Sequence, residues 1–367
     1  MITSDSQPPE MPDARDTSAE TDAAATDRSA ALLERALFEV KRVLVGQDAM
    51  VERMLIALLA RGHLLLEGVP GVAKTLAVRT LADVTGGTFH RLQFTPDLMP
   101  GDIVGTRVWR PSTETFDTEL GPVFANLVLA DEINRAPAKV QSALLEAMGE
   151  RQVSIGGRTY PLPDPFLVIA TQNPIESEGV YSLPEAQRDR FLMKVDVTHP
   201  NANEELAILQ RMSVDPPRSR EVLGAGQVLE LQQAADRVFV HNAVAQYAVA
   251  LVMATRDPVP YGLQAIVPHV EFGASPRATL GLVAAARALA LMRARDYVLP
   301  YDVYDVASDV LSHRLVLTFD AIAEGIDPRH TIDYLLSVIP QPQIAPHQNP
   351  RETPGETRGA DPRFGAA

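Results

Sequence analysis

Short, continuous apolar runs alternate with stretches of helical periodicity up to about residue 200. Each run ends in polar or turn-forming residues, as buried strands do. Strands that are apolar on both faces occur in parallel sheets covered by helices on both sides. The pattern therefore predicts an α/β fold with a mostly parallel sheet. The predicted strands are His63–Glu67, Thr88–Leu92, Asn126–Ala130, Phe166–Ala170 and Phe191–Val197.

Two amphipathic helices are predicted ahead of the first strand. Apolar residues three and four positions apart between Leu33 and Leu44 indicate the first helix, and Asp48 can cap the second. The turn Val45-Gly46-Gln47 between them could pack against an adenine ring, or it could be an ordinary connection between helices. After about Pro200 helical spacing dominates and no strand stands out, which predicts a helical second domain.

The two ends of the chain contain few large apolar residues. Residues 1–29 are rich in Asp, Glu, Pro, Ser, Thr and Ala, so they cannot bury enough surface to offset the entropy of ordering. Residues 341–367 are polar and rich in proline. We therefore expect disordered tails at 1–29 and 341–367, which flank an α/β core at 30–199 and a helical lid domain at 200–340.

Two segments interrupt the alternation of strands and helices. Gln93–Arg110 contains turn residues but few core positions, which predicts an inserted loop or hairpin. Gln152–Leu162 alternates between apolar and polar residues around Gly156-Gly157, which predicts a hairpin with a two-residue turn.

The composition limits the classes of partner and compartment. A net charge of −14 and an isoelectric point of about 5.0 disfavour broad nucleic-acid binding, because such a surface repels phosphates. The chain has no cysteine, and its eight histidines lack the spacing of zinc ligands. With neither the apolar core of a signal peptide nor a long apolar run, we expect a cytoplasmic protein without a transmembrane segment.

The stretch Leu64–Thr75 leads from an apolar run through a glycine-rich turn to Lys-Thr and then to helix-forming residues. Strand, loop and helix in this order predict a phosphate-binding loop, because the turn points N–H groups inward and the helix N-terminus adds partial positive charge. Lys74 would reach the β- and γ-phosphates of a nucleotide, and Thr75 would bind Mg²⁺. Ala73 stands where such loops usually have a second glycine. The methyl group of alanine narrows the range of backbone conformations allowed at this position. The candidate nucleotide-binding residues are Gln47, Gly68, Val69, Pro70, Gly71, Val72, Ala73, Lys74, Thr75 and Leu76.

An acidic pair, Asp131-Glu132, follows the predicted strand Asn126–Ala130. Open α/β sheets bind ligands at the carboxyl ends of their strands. There Asp131 would hold Mg²⁺ through the coordination shell of the ion, and Glu132 would orient and deprotonate an attacking water. A solvated Asp-Glu pair at a strand end is the alternative. The upstream Lys74 and Thr75 favour the metal site.

Further candidates stand at element ends. Asn173 follows a predicted strand and could hold the attacking water or the γ-phosphate, or it could belong to an ordinary Asn-Pro turn. Arg188 and Arg190 precede the last strand, where an arginine could reach a neighbouring subunit's nucleotide or could be surface charge. Arg277 lies in the first turn of a predicted helix, where the helix dipole disfavours a cation. This unfavourable position suggests that Arg277 binds a group outside the helix, such as a phosphate.

These segments resemble the AAA+ ATPase superfamily, and within it the MoxR family. The resemblance covers roughly residues 30–315, and the matching segments follow one another in the same order as in the family. An alanine at position 73 is usual in MoxR-like proteins. The matching segments are Val45-Gly46-Gln47, Leu65–Thr75, Gln93–Asp97, Ala130–Pro137, Gln141–Met148, Ile169–Pro174, Leu183–Gln187 with Asp189–Phe191, and Gly273–Ala278.

The resemblance implies a P-loop αβα sandwich with a mostly parallel five-stranded sheet and an all-helical C-terminal lid, with ATP bound between them. It implies that Asn173 is the first sensor, that Arg190 is an arginine finger acting on the next subunit, and that Arg277 is the sensor arginine of the lid. It also implies an insert near Thr95–Arg107. MoxR-like proteins are thought to form rings, often hexamers, that act as chaperones, commonly with von Willebrand factor A-domain proteins.

The resulting hypothesis is an Mg²⁺-dependent ATPase whose hydrolysis of ATP to ADP and phosphate drives remodelling of a partner protein. One alternative is a nucleotide-dependent assembly switch in which hydrolysis is incidental, although the presence of Glu132 and Arg190 disfavours it. Another is the ATPase subunit of a porphyrin-metal chelatase, a related AAA+ group. The segments Asp131–Arg135 and Gln187–Arg190 fit the MoxR family better.

Overall fold

The computed structural model describes residues 14–174, 180–213 and 217–343, with side chains from residue 24 onward. The strands up to residue 200 are β1 (Leu64–Gly68), β2 (Phe89–Gln93), β3 (Gly105–Arg110), β4 (Thr115–Leu120), β5 (Leu127–Asp131), β6 (Gln152–Ile155), β7 (Arg158–Pro161), β8 (Leu167–Gln172) and β9 (Met193–Val197). Five of them form one parallel sheet in the order β2-β5-β8-β1-β9. The predicted sheet is confirmed, and its strand ends differ from the expected ones by one or two residues.

Helices cover both faces of this sheet and make up most of the rest of the chain. Those of the first part are α1 (Ala14–Val43), α2 (Asp48–Leu59), α3 (Lys74–Val84), α4 (Pro100–Val104), α5 (Ala138–Glu150) and α6 (Glu185–Arg188). Those of the second part are α7 (Ala202–Met212), α8 (Ala225–Arg237), α9 (Asn242–Arg256), α10 (Pro276–Met292), α11 (Pro300–Leu311), α12 (Phe319–Ala323) and α13 (Pro328–Val338).

The two faces of the sheet belong to two hydrophobic clusters, because successive side chains of a strand point to opposite faces. Leu64 and Leu66 of β1 join a large cluster with α1, α2, α3 and the helices after residue 220. Leu65 of β1 joins a smaller cluster with α4, α5 and the β6–β7 hairpin. The C-terminal helices therefore share a core with α1 and α2.

Both interrupting segments form hairpins. The strands β3 and β4 pair antiparallel from Gly105 with Leu120 to Arg110 with Thr115, so the inserted hairpin extends further along the chain than the segment predicted from Gln93 to Arg110. The strands β6 and β7 pair around Gly156 and Gly157, which both have positive φ. The second hairpin is thus confirmed with its two-residue turn.

The expectation of a disordered tail is wrong for residues 14–29, because α1 begins at Ala14. This stretch is rich in alanine, a strong helix former, and it continues the helix that carries the buried Leu33. Ala25 and Ser29 also lie beside Ala234 of α8, so the segment has a surface to pack on. Residues 1–13 lie outside the described part of the chain, and so does the expected C-terminal tail from residue 344 onward.

The C-terminal region contains one feature that the periodicity did not indicate. The short strands β10 (Val270–Phe272) and β11 (Val316–Leu317) pair antiparallel between helices. The expectation that no strand stands out there is wrong because these runs are too short to show a period of two and are far apart in the chain. No helix within the described ranges is long and apolar enough to span a bilayer.

Candidate functional site

The loop between β1 and α3 presents free backbone donors to open space. Gly71 has a φ of +87°, and a Cβ at this position would meet no atom within 4 Å. Ala73, the residue preceding α3, lies in the left-handed region with φ 61° and ψ 24°, and no side chain caps this helix N-terminus. An uncapped N-terminus of an eleven-residue helix carries unpaired N–H groups and partial positive charge. The loop is therefore suited to an anion.

Gly68 ends β1 in close contact with the neighbouring strand β9. A Cβ at Gly68 would lie 2.4 Å from the carbonyl oxygen of Val197. A glycine is required here by this approach of two backbones, because φ at Gly68 is not positive.

Lys74 is turned back onto its own loop, where its Nζ donates a hydrogen bond to the carbonyl oxygen of Gly68 at 2.5 Å. Burial lowers the pKa of Lys74, and the nearby carboxylates of Asp131, Glu132 and Glu67 oppose that shift. The ammonium group thus lies in the field of the acidic pair, although more than fifty residues separate them in the chain.

Asp131 is the last residue of β5, and both of its carboxylate oxygens are engaged. Oδ1 accepts a hydrogen bond from Oγ1 of Thr171 on β8 at 2.6 Å. Oδ2 accepts from Nη2 and Nε of Arg91 on β2, at 2.5 and 3.0 Å. Neighbouring strands on each side therefore fix the orientation of this carboxylate.

Glu132 follows directly, with a left-handed backbone at φ 54°. Its N–H donates to Oγ1 of Thr171 at 2.9 Å. Its Oε2 accepts from Nε2 of Gln93 at 2.8 Å and pairs with Nε of Arg135 at 3.1 Å. The backbone turn separates the directions of the two adjacent carboxylates, which now contact different partners.

Three residues of this arrangement, Arg91, Gln93 and Thr171, were missed in the sequence. Arg91 and Gln93 lie two positions apart on β2, so they share one face of the strand that pairs with β5. A run of polar residues at the carboxyl end of a strand was the available signal. It could not be interpreted without knowing that β2 is the neighbour of β5.

Asn173 comes directly after β8 and is buried. It lines an open cleft of about 620 Å³ together with Glu67 at the end of β1 and Arg188 of α6. In the sheet order β5-β8-β1, Asn173 thus lies between the acidic pair and the phosphate-binding loop.

Two arginines near the end of α6 point in different directions. Arg188 faces the cleft beside Asn173, and its buried Nε has no hydrogen-bond partner among the described residues. Arg190 is exposed, and its Nη1 donates to the carbonyl oxygen of Leu145 in α5. Arg190 therefore lies at a surface of the subunit, on the side of α5.

Arg277 lies in the first turn of α10, whose N-cap Ser275 accepts a hydrogen bond from the N–H of Arg277 at 3.2 Å. Its side chain is 57% exposed, and its Nη1 is 3.9 Å from Oδ2 of Asp189. Since Asp189 directly precedes Arg190, Arg277 contacts the segment of the chain that carries Arg190.

Gln47 lies in the turn between α1 and α2, with φ 58°. Its Nε2 donates to the carbonyl oxygen of Thr198, just past β9, at 2.7 Å. A Cβ at the neighbouring Gly46 would lie 2.8 Å from the carboxylate carbon of Glu204 in α7. The turn is therefore held against the start of the C-terminal helices.

Comparisons with known proteins identify the family. A family model described as ATPase family associated with various cellular activities (AAA) matches residues 63–193, and one described as AAA lid domain matches residues 264–334. The chain is 63% identical over 312 residues to "Chaperone MoxR1" of Mycobacterium tuberculosis, with 85% of this chain and 83% of that protein covered. The chain belongs to the MoxR family of AAA+ ATPases.

Two further similar proteins share less identity with the chain. The chain is 35% identical over 308 residues to "Protein MoxR" of Methylorubrum extorquens, which covers 79% of this chain and 88% of that protein. A crystal structure described as that of an ATPase from Cytophaga hutchinsonii is 45% identical in sequence and superposes with a TM-score of 0.83. The match covers 89% of this chain and 99% of the chain in that structure. These likenesses confirm the resemblance to MoxR proteins and the α/β fold with a helical C-terminal region.

The fold of this MoxR-family chain brings one subset of the predicted site residues together. The loop at Lys74, the acidic pair and Asn173 meet at one edge of the sheet, since β1, β8 and β5 are neighbours. The other predicted residues, Gln47, Arg190 and Arg277, lie on other parts of the chain.

Proposed function

We propose that this chain is an Mg²⁺-dependent ATPase that hydrolyses ATP to ADP and phosphate at the carboxyl edge of its parallel sheet. The observation that carries the proposal is the order β5-β8-β1. It sets a cationic loop, an acidic pair and a buried amide side by side, and each supplies a part that phosphoryl transfer needs. Membership of the AAA+ ATPases supports the same activity.

The residues of the loop fit a nucleotide and its metal. The open space in front of Gly71 and the uncapped N-terminus of α3 suit phosphate oxygens. Thr75 and Asp131 offer oxygen ligands, which Mg²⁺ prefers, and Mg²⁺ usually takes only one or two ligands from a protein. When bound, Mg²⁺ would neutralise charge on the β- and γ-phosphates.

Glu132 is the residue to which we assign the attacking water. Its carboxylate interacts electrostatically with the ammonium group of Lys74, and the amide of Gln93 donates a hydrogen bond to one of its oxygens. A carboxylate that orients a water and takes its proton typically contributes about 10²–10⁴-fold in rate. Asn173, from the neighbouring strand, would hold that water or the γ-phosphate with its amide.

Arg190 and Arg277 would supply positive charge to the transferring phosphoryl group. Because Arg190 is exposed on the side of α5, it is suited to act on the nucleotide of a neighbouring subunit in a ring, which we propose to be a hexamer. Arg277 would act as the sensor arginine of the lid. The turn at Gln47 would contact the adenine.

We further propose a chaperone-like role in the cytoplasm, in which hydrolysis remodels a protein client. A relative that is 63% identical is named a chaperone, which supports this role. A von Willebrand factor A-domain protein is the partner that the family resemblance suggests, and the net charge of −14 disfavours a nucleic-acid client.

The test is Glu132→Gln, compared with Glu230→Gln on the exposed surface of α8. We expect Glu132→Gln to bind ATP but to lower steady-state turnover by about 10²–10⁴-fold, and the control to retain the native rate. Binding is measured by calorimetry and turnover by phosphate release. If Glu132→Gln retained full turnover, Glu132 would have no role with the water. If the native chain bound ATP but did not turn over, an assembly switch would replace the proposed ATPase.

A further inference from the structure

A single carboxylate joins the end of α6 to the C-terminal helices. The hydroxyl of Ser275 donates its single proton to the carboxylate of Asp189, and its Oγ lies 2.9 and 2.8 Å from the two carboxylate oxygens. Its Oδ1 also accepts from Nε of Arg314 at 2.9 Å, and its Oδ2 is 3.9 Å from Nη1 of Arg277. Three residues that are far away in the chain thus converge on one side chain.

Arg314 is the rigid member of this group. It is buried, and its guanidinium donates to the carbonyl oxygens of Phe191, Leu192 and Val310 as well as to Asp189. A guanidinium with this many fixed acceptors cannot turn away. The carboxylate of Asp189 is therefore held in place from the core side.

Arg277 is the exposed member. Its side chain is 57% exposed, and its Nη1 lies 3.9 Å from Oδ2 of Asp189. A cation in the first turn of α10 is unfavourable with respect to the helix dipole, whereas the carboxylate of Asp189 at the same helix end is favourable. Asp189 therefore provides the attraction that keeps Arg277 near the start of α10.

We propose that Asp189 is a positioning residue for Arg277. It holds the guanidinium beside the segment that carries Arg190, ready to exchange the carboxylate for a phosphate oxygen. The charge of Asp189 acts on Arg277, whereas its hydrogen bonds to Ser275 and Arg314 set where the carboxylate lies. This inference rests on the proposed assignment of Arg277 to a phosphate.

The test is a double-mutant cycle of Asp189→Asn and Arg277→Gln in the full chain, measured as kcat and KM for Mg-ATP hydrolysis. Asparagine retains one acceptor for Ser275 but removes the charge. We expect Asp189→Asn to lower kcat by about threefold to tenfold in the native background and to have almost no further effect with Arg277→Gln. Equal fold-changes in both backgrounds, or no effect of Arg277→Gln alone, would overturn the proposal.

Two further variants separate positioning from anchoring of the lid. Asp189→Glu keeps the charge, so we expect it to have most of the kcat that Asp189→Asn loses. If the asparagine variant does not fold, Asp189→Glu replaces it in the double-mutant cycle. Ser275→Ala removes a hydrogen bond to Asp189 but keeps the negative charge, so we expect it to lower kcat less than Asp189→Asn does. Failure of Asp189→Glu to restore kcat would also count against positioning by charge. If Glu132→Gln abolishes turnover while Asp189→Asn acts equally in both backgrounds, the ATPase stands and only the role of Asp189 falls.

Discussion

Replacing His63 by asparagine should remove part of the acid sensitivity of the fold. His63 directly precedes β1, and its ring is buried against Phe166. Nδ1 accepts a hydrogen bond from the N–H of Val168 at 3.0 Å, and Nε2 is 3.2 Å from the carbonyl oxygen of Met148, to which it donates. Both contacts require the neutral ring with its proton on Nε2.

Burial lowers the pKa of His63 to about 4 from an ordinary value of 6.5, and the nearby Arg151 adds to the shift. Since the unfolded chain takes up this proton first, the neutral ring stabilises the fold fully above pH 6.5, and this contribution is lost as the pH falls toward 4. The complete loss amounts to about 3 kcal/mol. Between pH 7 and pH 5 alone, the linkage relation gives about 2 kcal/mol.

The assay is the free energy of unfolding from denaturant titration, measured near pH 7 and near pH 5 for the native chain and for His63→Asn. The Oδ1 of asparagine can replace Nδ1 as the acceptor for Val168 but does not titrate. We expect the variant to be less stable near pH 7, and its loss on acidification to be smaller by about 2 kcal/mol. His330→Asn, at an exposed position of α13, is the matched control. An unchanged pH difference in His63→Asn would refute the reasoning.

Two other predictions concern the phosphate-binding loop. Ala73→Gly should raise the free energy of unfolding by up to about 1 kcal/mol, because it relieves a left-handed backbone at φ 61°, whereas Ala77→Gly within α3 should lower it by about 1 kcal/mol or more. Equal losses for both in denaturant titrations would contradict this contrast. Gly68→Ala should cost about 1–3 kcal/mol and weaken ATP binding, because its Cβ would lie 2.4 Å from the carbonyl oxygen of Val197. An unaltered melting temperature and calorimetric affinity would show that the two strands can separate without cost.

The sheet and the loop at its edge could be predicted because their signals are local. An apolar run that ends at Gly68 and a Lys-Thr pair ahead of a helix are visible in a dozen consecutive residues. The buried strand before Asp131 is equally clear. The polar partners of this acidic residue were not visible, because Arg91 and Thr171 reach it from strands that are neighbours only in the folded sheet.

The sequence by itself determined the five strands of the parallel sheet and the loop that can bind a phosphate, since periodicity and backbone freedom depend on near neighbours. The helical state of residues 14–29 was not predicted, although the stretch is rich in alanine and continues the helix that carries Leu33. Only the tertiary structure decided that Asp189 meets Ser275, Arg277 and Arg314, which come from 86 to 125 positions later in the chain. Hydrogen bonds and charges act over a few ångströms. The number of residues between two positions does not predict their distance in the folded chain, so these contacts could not be read from the sequence.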